Sequence, residues 1–354
     1  MKTKKKHIMF VIPSLAAGGA ERIFSFLAQA LDKDKLYCTL LVIGSEKDNV
    51  YDVSNVDTIY LDKDRISRAV FGIVKVLQNK KPNVVVSSIA HLNTLMAGIS
   101  FLFPKMKFVA REANVLSVLT QYNNGGFLPK NSVVMAYKRF DKIIAQSKDM
   151  MQDMMAHYDV KKEKIVLINN PVTSNFKLKP QQNNTPLRFI TIGRLSKEKG
   201  HDRLLKVLSK LQFNFEYTII GSGIEKEAII ELAKSYKLLE HIKFISYTKA
   251  VEQELTAHDV FLQGSYSEGF PNVLLESCMV GTPIVAFDAP GGLNEIIEQG
   301  KNGYIANTEE EFINFLKELN QSFTFDVKAV RKVVSEKFDT QKILNAYETL
   351  FLSL

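Results

Sequence analysis

Short apolar runs of strand length alternate with amphipathic stretches from one end of this chain to the other. That alternation limits the possible folds more than any other feature. In the first half, strands are expected at His7–Ile12, Thr39–Ile43, Val84–Ser87, Lys107–Ala110 and Lys142–Ala145, with helical spacing over Ala20–Leu31 and Ser67–Gln78. The second half repeats the scheme. Strands are expected at Arg188–Ile192, Phe215–Ile220, Ile242–Ser246, Val260–Gln263 and Pro283–Ala286, and helices at Asp202–Lys210, Glu225–Tyr236 and Asn272–Met279. Strands interleaved with helices predict parallel sheets covered on both faces. Two such series predict an α/β chain of two doubly wound domains, which 354 residues can accommodate. The periodicity lapses at Asn169-Asn170-Pro171-Val172 and in the polar stretch Lys177 to Pro186, so the domains are expected over 1–172 and 173–336. Apolar Ile343, Leu344, Tyr347, Leu350 and Phe351 predict an amphipathic helix inside the closing segment, 337–354. A crevice lined by the carboxyl ends of the strands is the expected ligand site.

The balance of 46% hydrophobic and 24% charged residues is globular and excludes a disordered chain. The basic start MKTKKKHIMFVIPSL runs into Gly-Gly-Ala-Glu-Arg, which reads as a first strand and a helix start, not a signal peptide. No apolar run approaches the roughly 20 residues of a membrane-spanning helix. The longest, Leu92 to Phe103, is broken by Asn93 and Gly98 and stopped by Pro104. Cys38 and Cys278 lack metal-ligand spacing and read as buried reduced thiols, as in the cytosol. Charge is uneven: residues 1–170 carry 25 Lys+Arg against 15 Asp+Glu, and the remainder 21 against 23. The excess suits either solvated lysines or an anionic partner such as a membrane surface. No nucleic-acid recognition motif accompanies it, so nucleic acid is not expected as a partner.

Chemistry concentrates in Gly264 to Asp288, GSYSEGFPNVLLESCMVGTPIVAFD. Glu268 and Glu276 flank a Gly-Phe-Pro-Asn turn that opens a helix. Unpaired N–H groups at a helix start suit a phosphate, and carboxylates accept hydrogen bonds from hydroxyls. These parts together predict a sugar-nucleotide seat. Upstream, Arg194 and Lys199 leave the carboxyl end of a buried strand, where two cations would neutralise a diphosphate leaving group. The turn holding Gly18 and Gly19 lets a backbone approach a ligand, without the Gly-x-Gly-x-x-Gly dinucleotide spacing. Gly221-Ser222-Gly223 reads as a tight connection, and Gly291-Gly292-Leu293-Asn294-Glu295 as a second helix start suited to an anion. Asp62-Lys63-Asp64 has metal-like spacing but lies far along the chain from the glutamates, and the basic pair makes a metal redundant, so none is expected. His91 reads as a locally bonded histidine near a strand end.

On these residues the chain resembles the retaining glycosyltransferases of family 4, with the two-domain GT-B fold, over nearly its whole length. Gly18-Gly19-Ala20-Glu21-Arg22 is similar to the family's glycine-rich turn, Arg194 through Gly200 to its diphosphate site, and Glu268 with Glu276 to its paired-glutamate signature. The resemblance implies Rossmann-like domains facing a central cleft, the first binding the acceptor and the second the nucleotide sugar. It also implies a last helix crossing back to the first domain. By position, Arg194 and Lys199 hold the diphosphate, and Glu268 faces the donor sugar beside the backbone of Gly269, Phe270, Pro271 and Asn272, with Val273 next in line. Glu276 takes the ribose, Tyr247 lies near the base, and Gly18 and Gly19 approach the phosphates. Relatives with a Ser-Glu-His-Asn run place a histidine where this chain has Ala113, which leaves Glu112 and Asn114 as candidates for sugar or acceptor contacts.

The expected reaction moves a hexose or N-acetylhexosamine from a UDP-sugar to a glycan hydroxyl with retention, without a resident cofactor. The departing phosphate takes the acceptor's proton. The Lys2/Lys4/Lys5/Lys6 cluster and the run Arg65 to Lys81 suggest docking on an anionic membrane. A polyprenyl-diphosphate-linked acceptor and a peripheral position on the cytoplasmic face of the membrane would follow. Leu95 and Met96 read as core residues, not membrane anchors. A sugar-nucleotide epimerase, a pyridoxal-phosphate-dependent phosphorylase and a non-catalytic nucleotide-binding scaffold are the alternatives on the same plan.

Overall fold

The computed structural model describes residues 5–122, 129–173, 175–181 and 185–354. Lys2 and Lys4 of the N-terminal cluster, and residues 182–184 of the expected linker, lie outside them. Internal contacts divide the chain into unit 1, Met1–Thr173 with Thr340–Leu354, and unit 2, Ser174–Asp339. Each is described by itself.

Among its described residues unit 1 has seven strands: β1 (Lys6–Ile12), β2 (Leu36–Val42), β3 (Asp57–Tyr60), β4 (Val84–Ser88), β5 (Lys107–Arg111), β6 (Lys142–Ala145) and β7 (Ile165–Leu167). They form one parallel sheet in the order β3-β2-β1-β4-β5-β6-β7. Alternate residues of β1 serve opposite faces, as the two-residue repeat of a strand requires. Ile8, Phe10 and Ile12 pack with Ile23, Phe24 and Leu27 of the helix Gly19–Ala30 and with Tyr347 and Phe351 of the helix Thr340–Ser353. Met9 and Val11 pack with Ile73, Leu77 and Met96 of helices on the other face. All five β1 residues are fully buried, which explains its uninterrupted apolar run.

Among its described residues unit 2 has six strands: β8 (Leu187–Ile192), β9 (Phe215–Ile220), β10 (Ile242–Ile245), β11 (Val260–Gln263), β12 (Ile284–Phe287) and β13 (Gly303–Ala306). Their order is β10-β9-β8-β11-β12-β13, again parallel. In both units the chain winds outward from a central strand, returns, and winds the other way. The reversal falls between β1 and β4 in unit 1 and between β8 and β11 in unit 2. The loops leaving adjacent strand ends diverge at such a reversal and open a crevice.

Three strands escape the sequence reading: β3, β7 and β13. Each is a short edge strand, and each is only partly covered, so it lacks a continuous apolar run. The helix expected over Ser67–Gln78 is a 3-10 turn, Ile66–Ala69, followed by the helix Val70–Lys80. Cys278 is buried, but Cys38 is only partly covered, which corrects its reading as a buried thiol. Burial pushes both thiols up to about 12. Met96 lies in the core and Leu95 packs against it. No helix among the described residues is long and apolar enough to cross a membrane.

Candidate active site

The reversal in unit 2 brings the two sequence motifs to one edge. Arg194 and Lys199 follow β8, and Glu268 follows β11. Backbone contact fixes the first loop. Gly193 and Leu195 donate to the carbonyls of Ile220 and Ser222 at 2.9 Å each. A Cβ on Gly221 or Gly223 would collide with the carbonyls of Gly193 or Leu195, so the Gly-x-Gly turn is a tight connection shaped to that loop. A 3-10 turn, Lys197–Lys199, ends at Gly200 with φ +59. There the loop meets the second motif back to back: a Cβ on Gly200 would strike the Gly264 carbonyl, and one on Gly264 the Gly200 carbonyl.

Arg203, in the helix His201–Leu208, ties the second loop down. Its guanidinium donates to the carbonyls of Gly264 and Ser265 and lies 4.3 Å from the ring centres of both Tyr266 and Phe287. Tyr266 N donates to Glu198 O at 2.8 Å, and Glu268 N to Pro290 O at 2.9 Å. These constraints set Lys199 Nζ 2.6 Å from Glu268 Oε1. The same oxygen accepts from Gln263 Nε2 at 2.7 Å and Ser265 Oγ at 2.5 Å. The lysine side chain is 22% exposed and the glutamate 7%, so the pair is largely shielded from water and its attraction is little screened.

Arg194 behaves differently. Its side chain is 72% exposed, and Nη2 lies 3.2 Å from Glu198 Oε1, which also accepts from Ser196 Oγ at 2.7 Å. His201 Nε2 donates to the Arg194 carbonyl at 3.2 Å, with Nδ1 buried and without a partner among the described residues. Burial pushes the imidazole below its usual pKa, which keeps it neutral. Pro271 caps the helix Asn272–Val280, in which Glu276, 8% exposed, lies one turn beyond Asn272 on the same side. Phe270 is buried edge-on against Phe338, with ring centres 5.2 Å apart. A Cβ on Gly291 or Gly292 would press on the Glu268 backbone or the Phe270 ring, so this turn backs the Gly269–Asn272 segment. Tyr247 is 57% exposed beyond the end of β10, two strands from β8.

Gln263, Ser265 and Arg203 are missing from the sequence reading. Gln263 alone leaves a signal, a polar residue closing the apolar run Val-Phe-Leu; the other two are defined by contacts across 61 or more positions or within a loop.

In unit 1, Gly18 precedes the helix Gly19–Ala30 with an extended backbone. Tyr51 Oη donates to its carbonyl at 2.9 Å, and the space a Cβ would fill is taken by the Glu21 carboxylate. Gly19 is exposed at the helix start. Glu112 corrects an expectation. It is 1% exposed and turned inward, accepting from Tyr137 Oη and, at 2.9 Å, from Ala113 N, so it offers no surface to a sugar. Asn114 is half-buried beside it. Asp64 is paired with Arg68 at 2.8 Å, and no cluster of three or more metal-ligating side chains occurs among the described residues.

Residues 17–176 match the model of Glycosyltransferase Family 4, and residues 173–322 that of Glycosyl transferases group 1. This protein is a glycosyltransferase. The enzyme is 27% identical to an uncharacterised glycosyltransferase of Haemophilus influenzae over 97% of its own length and 99% of the relative's. It is 23% identical, over 58% of each chain, to the N-acetylgalactosamine-N,N'-diacetylbacillosaminyl-diphospho-undecaprenol 4-alpha-N-acetylgalactosaminyltransferase of Campylobacter jejuni. Its fold is GT-B. Anabaena HepE in complex with UDP and glucose superposes with a TM-score of 0.80 at 18% identity, covering 99% of the enzyme and 100% of that chain. Sucrose-phosphate synthase of Thermosynechococcus elongatus gives 0.82 at 15%, with the same coverage.

Proposed function

We propose that the enzyme moves a hexose or N-acetylhexosamine from a UDP-sugar to a hydroxyl of a lipid-linked glycan, with retention, as a family 4 enzyme of surface polysaccharide assembly. The observation that carries this reading is Lys199 seated on Glu268 beside the Arg194 turn, where the strand order of unit 2 reverses. A nucleotide diphosphate brought there meets a shielded ammonium and, from Arg194, a solvent-facing guanidinium that can exchange its Glu198 partner for phosphate. Both offset charge that gathers on the β-phosphate as the bond from the anomeric carbon to oxygen breaks. No resident metal is required for that charge balance. Glu268 Oε1 is saturated by Lys199, Gln263 and Ser265, which leaves Oε2 to accept from a sugar hydroxyl. Glu276 accepts from the ribose, the Gly269–Asn272 backbone lies along the sugar, and Tyr247 lies near the base. The acceptor oxygen attacks on the face the diphosphate leaves, and its proton passes to a phosphate oxygen.

UDP as donor is supported by HepE, described with UDP and glucose, and a diphospho-lipid acceptor by the name of the Campylobacter relative. The test is a screen of UDP-sugars against undecaprenyl-diphosphate-linked glycans, read by mass spectrometry and by NMR of the new anomeric centre. Transfer with retention is expected, and its loss in Arg194→Ala with an unchanged melting curve. Near-normal turnover in that variant would remove the diphosphate role, and an inverted anomer the mechanism.

A further inference from the structure

One helical layer of unit 1 is unusual for its charge. From Arg65 to Lys105 the chain carries six Lys and Arg and no acidic residue, and the helix Lys130–Arg139 adds three more cations and no acid. The helices Val70–Lys80, Ala90–Ser100 and Lys130–Arg139 all cover the same face of the sheet, through Ile73, Leu77, Met96, Ile99, Val133 and Ala136. Large apolar groups on these helices, and in the turn that follows Ser100, face water. Phe71 is 89% exposed, Met135 75%, Phe101 70% and Leu102 63%. A further helix on this face, Lys148–Tyr158, carries Asp149 and Asp153, so the acid-free part is the group of these three helices. Single exposed apolar side chains are ordinary, but four on one acid-free group of helices are not. Lys75 follows Phe71 by one helical turn on the same side, and the Arg139 guanidinium lies 4.7 Å from the Phe101 ring centre. Arg65, Lys75, Lys81, Lys105 and Lys130 have no ion-pair partner among the described residues.

We infer that this layer lies flat on an anionic lipid bilayer, with Phe71, Met135, Phe101 and Leu102 entering the interface and the unpaired cations resting among the headgroups. Apolar groups set among unpaired cations match a surface that is anionic outside and apolar just beneath. The inference rests on the lipid-linked acceptor proposed above, which docking would hold within reach.

Flotation of the full-length protein with phosphatidylglycerol–phosphatidylcholine vesicles, and with phosphatidylcholine alone, tests it. Binding is expected only to the anionic vesicles and should weaken with salt. Phe71→Ser combined with Phe101→Ser should lower partition at least tenfold. Lys75→Gln and Lys105→Gln should each lower it roughly fivefold. Transfer to a water-soluble acceptor should be unchanged in all these variants. Equal binding to neutral vesicles, no vesicle binding, or variants that bind normally would overturn the docking. So would self-association in light scattering that the Phe71 and Phe101 changes abolish without any vesicle binding, since the layer would then be a protein contact. Transfer without vesicle binding defeats the docking alone, whereas vesicle binding with no transfer to any acceptor defeats the proposed reaction.

Discussion

Glu268 and Glu112 are both buried at the carboxyl edge of a parallel sheet, at 6% and 1% exposure, yet their surroundings differ in kind. Glu268 is met by an ammonium, an amide and a hydroxyl, all on one oxygen. Glu112 is met by a phenol and two backbone amides and, among the described residues, pairs with no cation. Burial accordingly pushes the Glu112 carboxyl above its ordinary value, with the hydrogen bonds of Tyr137, Ala113 and Asn114 opposing it. Its sequence neighbour Arg111 does not help. Consecutive residues leave a strand on opposite faces, and Arg111 donates to Asn170 Oδ1 at 2.5 Å and Tyr347 Oη at 3.3 Å, on the side of Phe24. A buried acid is a candidate ligand-binding group where a cation from another loop reaches it. Without one it is a structural group whose charge burial disfavours.

The largest test of that contrast removes the cation. Lys199→Ala should lower kcat about 10³-fold, roughly 4 kcal/mol of transition-state stabilisation. Tyr137→Phe, which strips the other glutamate, should leave turnover within about twofold. Steady-state transfer assays decide it, and equal losses would erase the distinction. Next comes the backbone contact between the loops. Gly264→Ala forces a Cβ against the Gly200 carbonyl and should cost about 3 kcal/mol in urea denaturation as well as turnover. Arg203→Lys keeps the charge but loses the fork that holds two carbonyls and the ring contacts. A fall in kcat of about 30-fold, near 2 kcal/mol, is expected with little change in melting temperature. A melting shift large enough to explain the loss would make Arg203 a stability residue only.

The smallest effect is a pH dependence. A carboxyl whose folded pKa is raised contributes stability that is complete below its unfolded value, here 4.5, and is lost as pH rises through the folded value. Glu112→Gln cannot ionise. The wild type should therefore lose stability relative to this variant between acid and neutral pH, measured by denaturant titration across the range. Parallel curves would mean that Glu112 is not the strained acid described.

Much of the architecture was legible beforehand because burial on both faces writes itself into composition. β1 and β8 are found as apolar runs because parallel central strands have no wet side. Of the four partly solvated edge strands, β3, β7 and β13 were not found, whereas β10 was, because Ile242-Lys243-Phe244 keeps the apolar–polar alternation of a strand. The acidic and basic motifs of unit 2 were legible as residue types at strand ends. That Glu112 faces inward, and that Arg203 holds the Glu268 loop, was not, because neither follows from local spacing.

By itself the amino-acid sequence determined the alternation of strands and helices, the two series, and the positions of Arg194, Lys199, Glu268 and Glu276 along the chain. Those features depend on near neighbours and on which stretches avoid water. The tertiary structure alone decided that Lys199 reaches Glu268 across 69 positions, while Arg111 turns from the adjacent Glu112. The reason is that strand order and backbone contact, such as Gly200 against Gly264, place residues in space without regard to their separation in sequence.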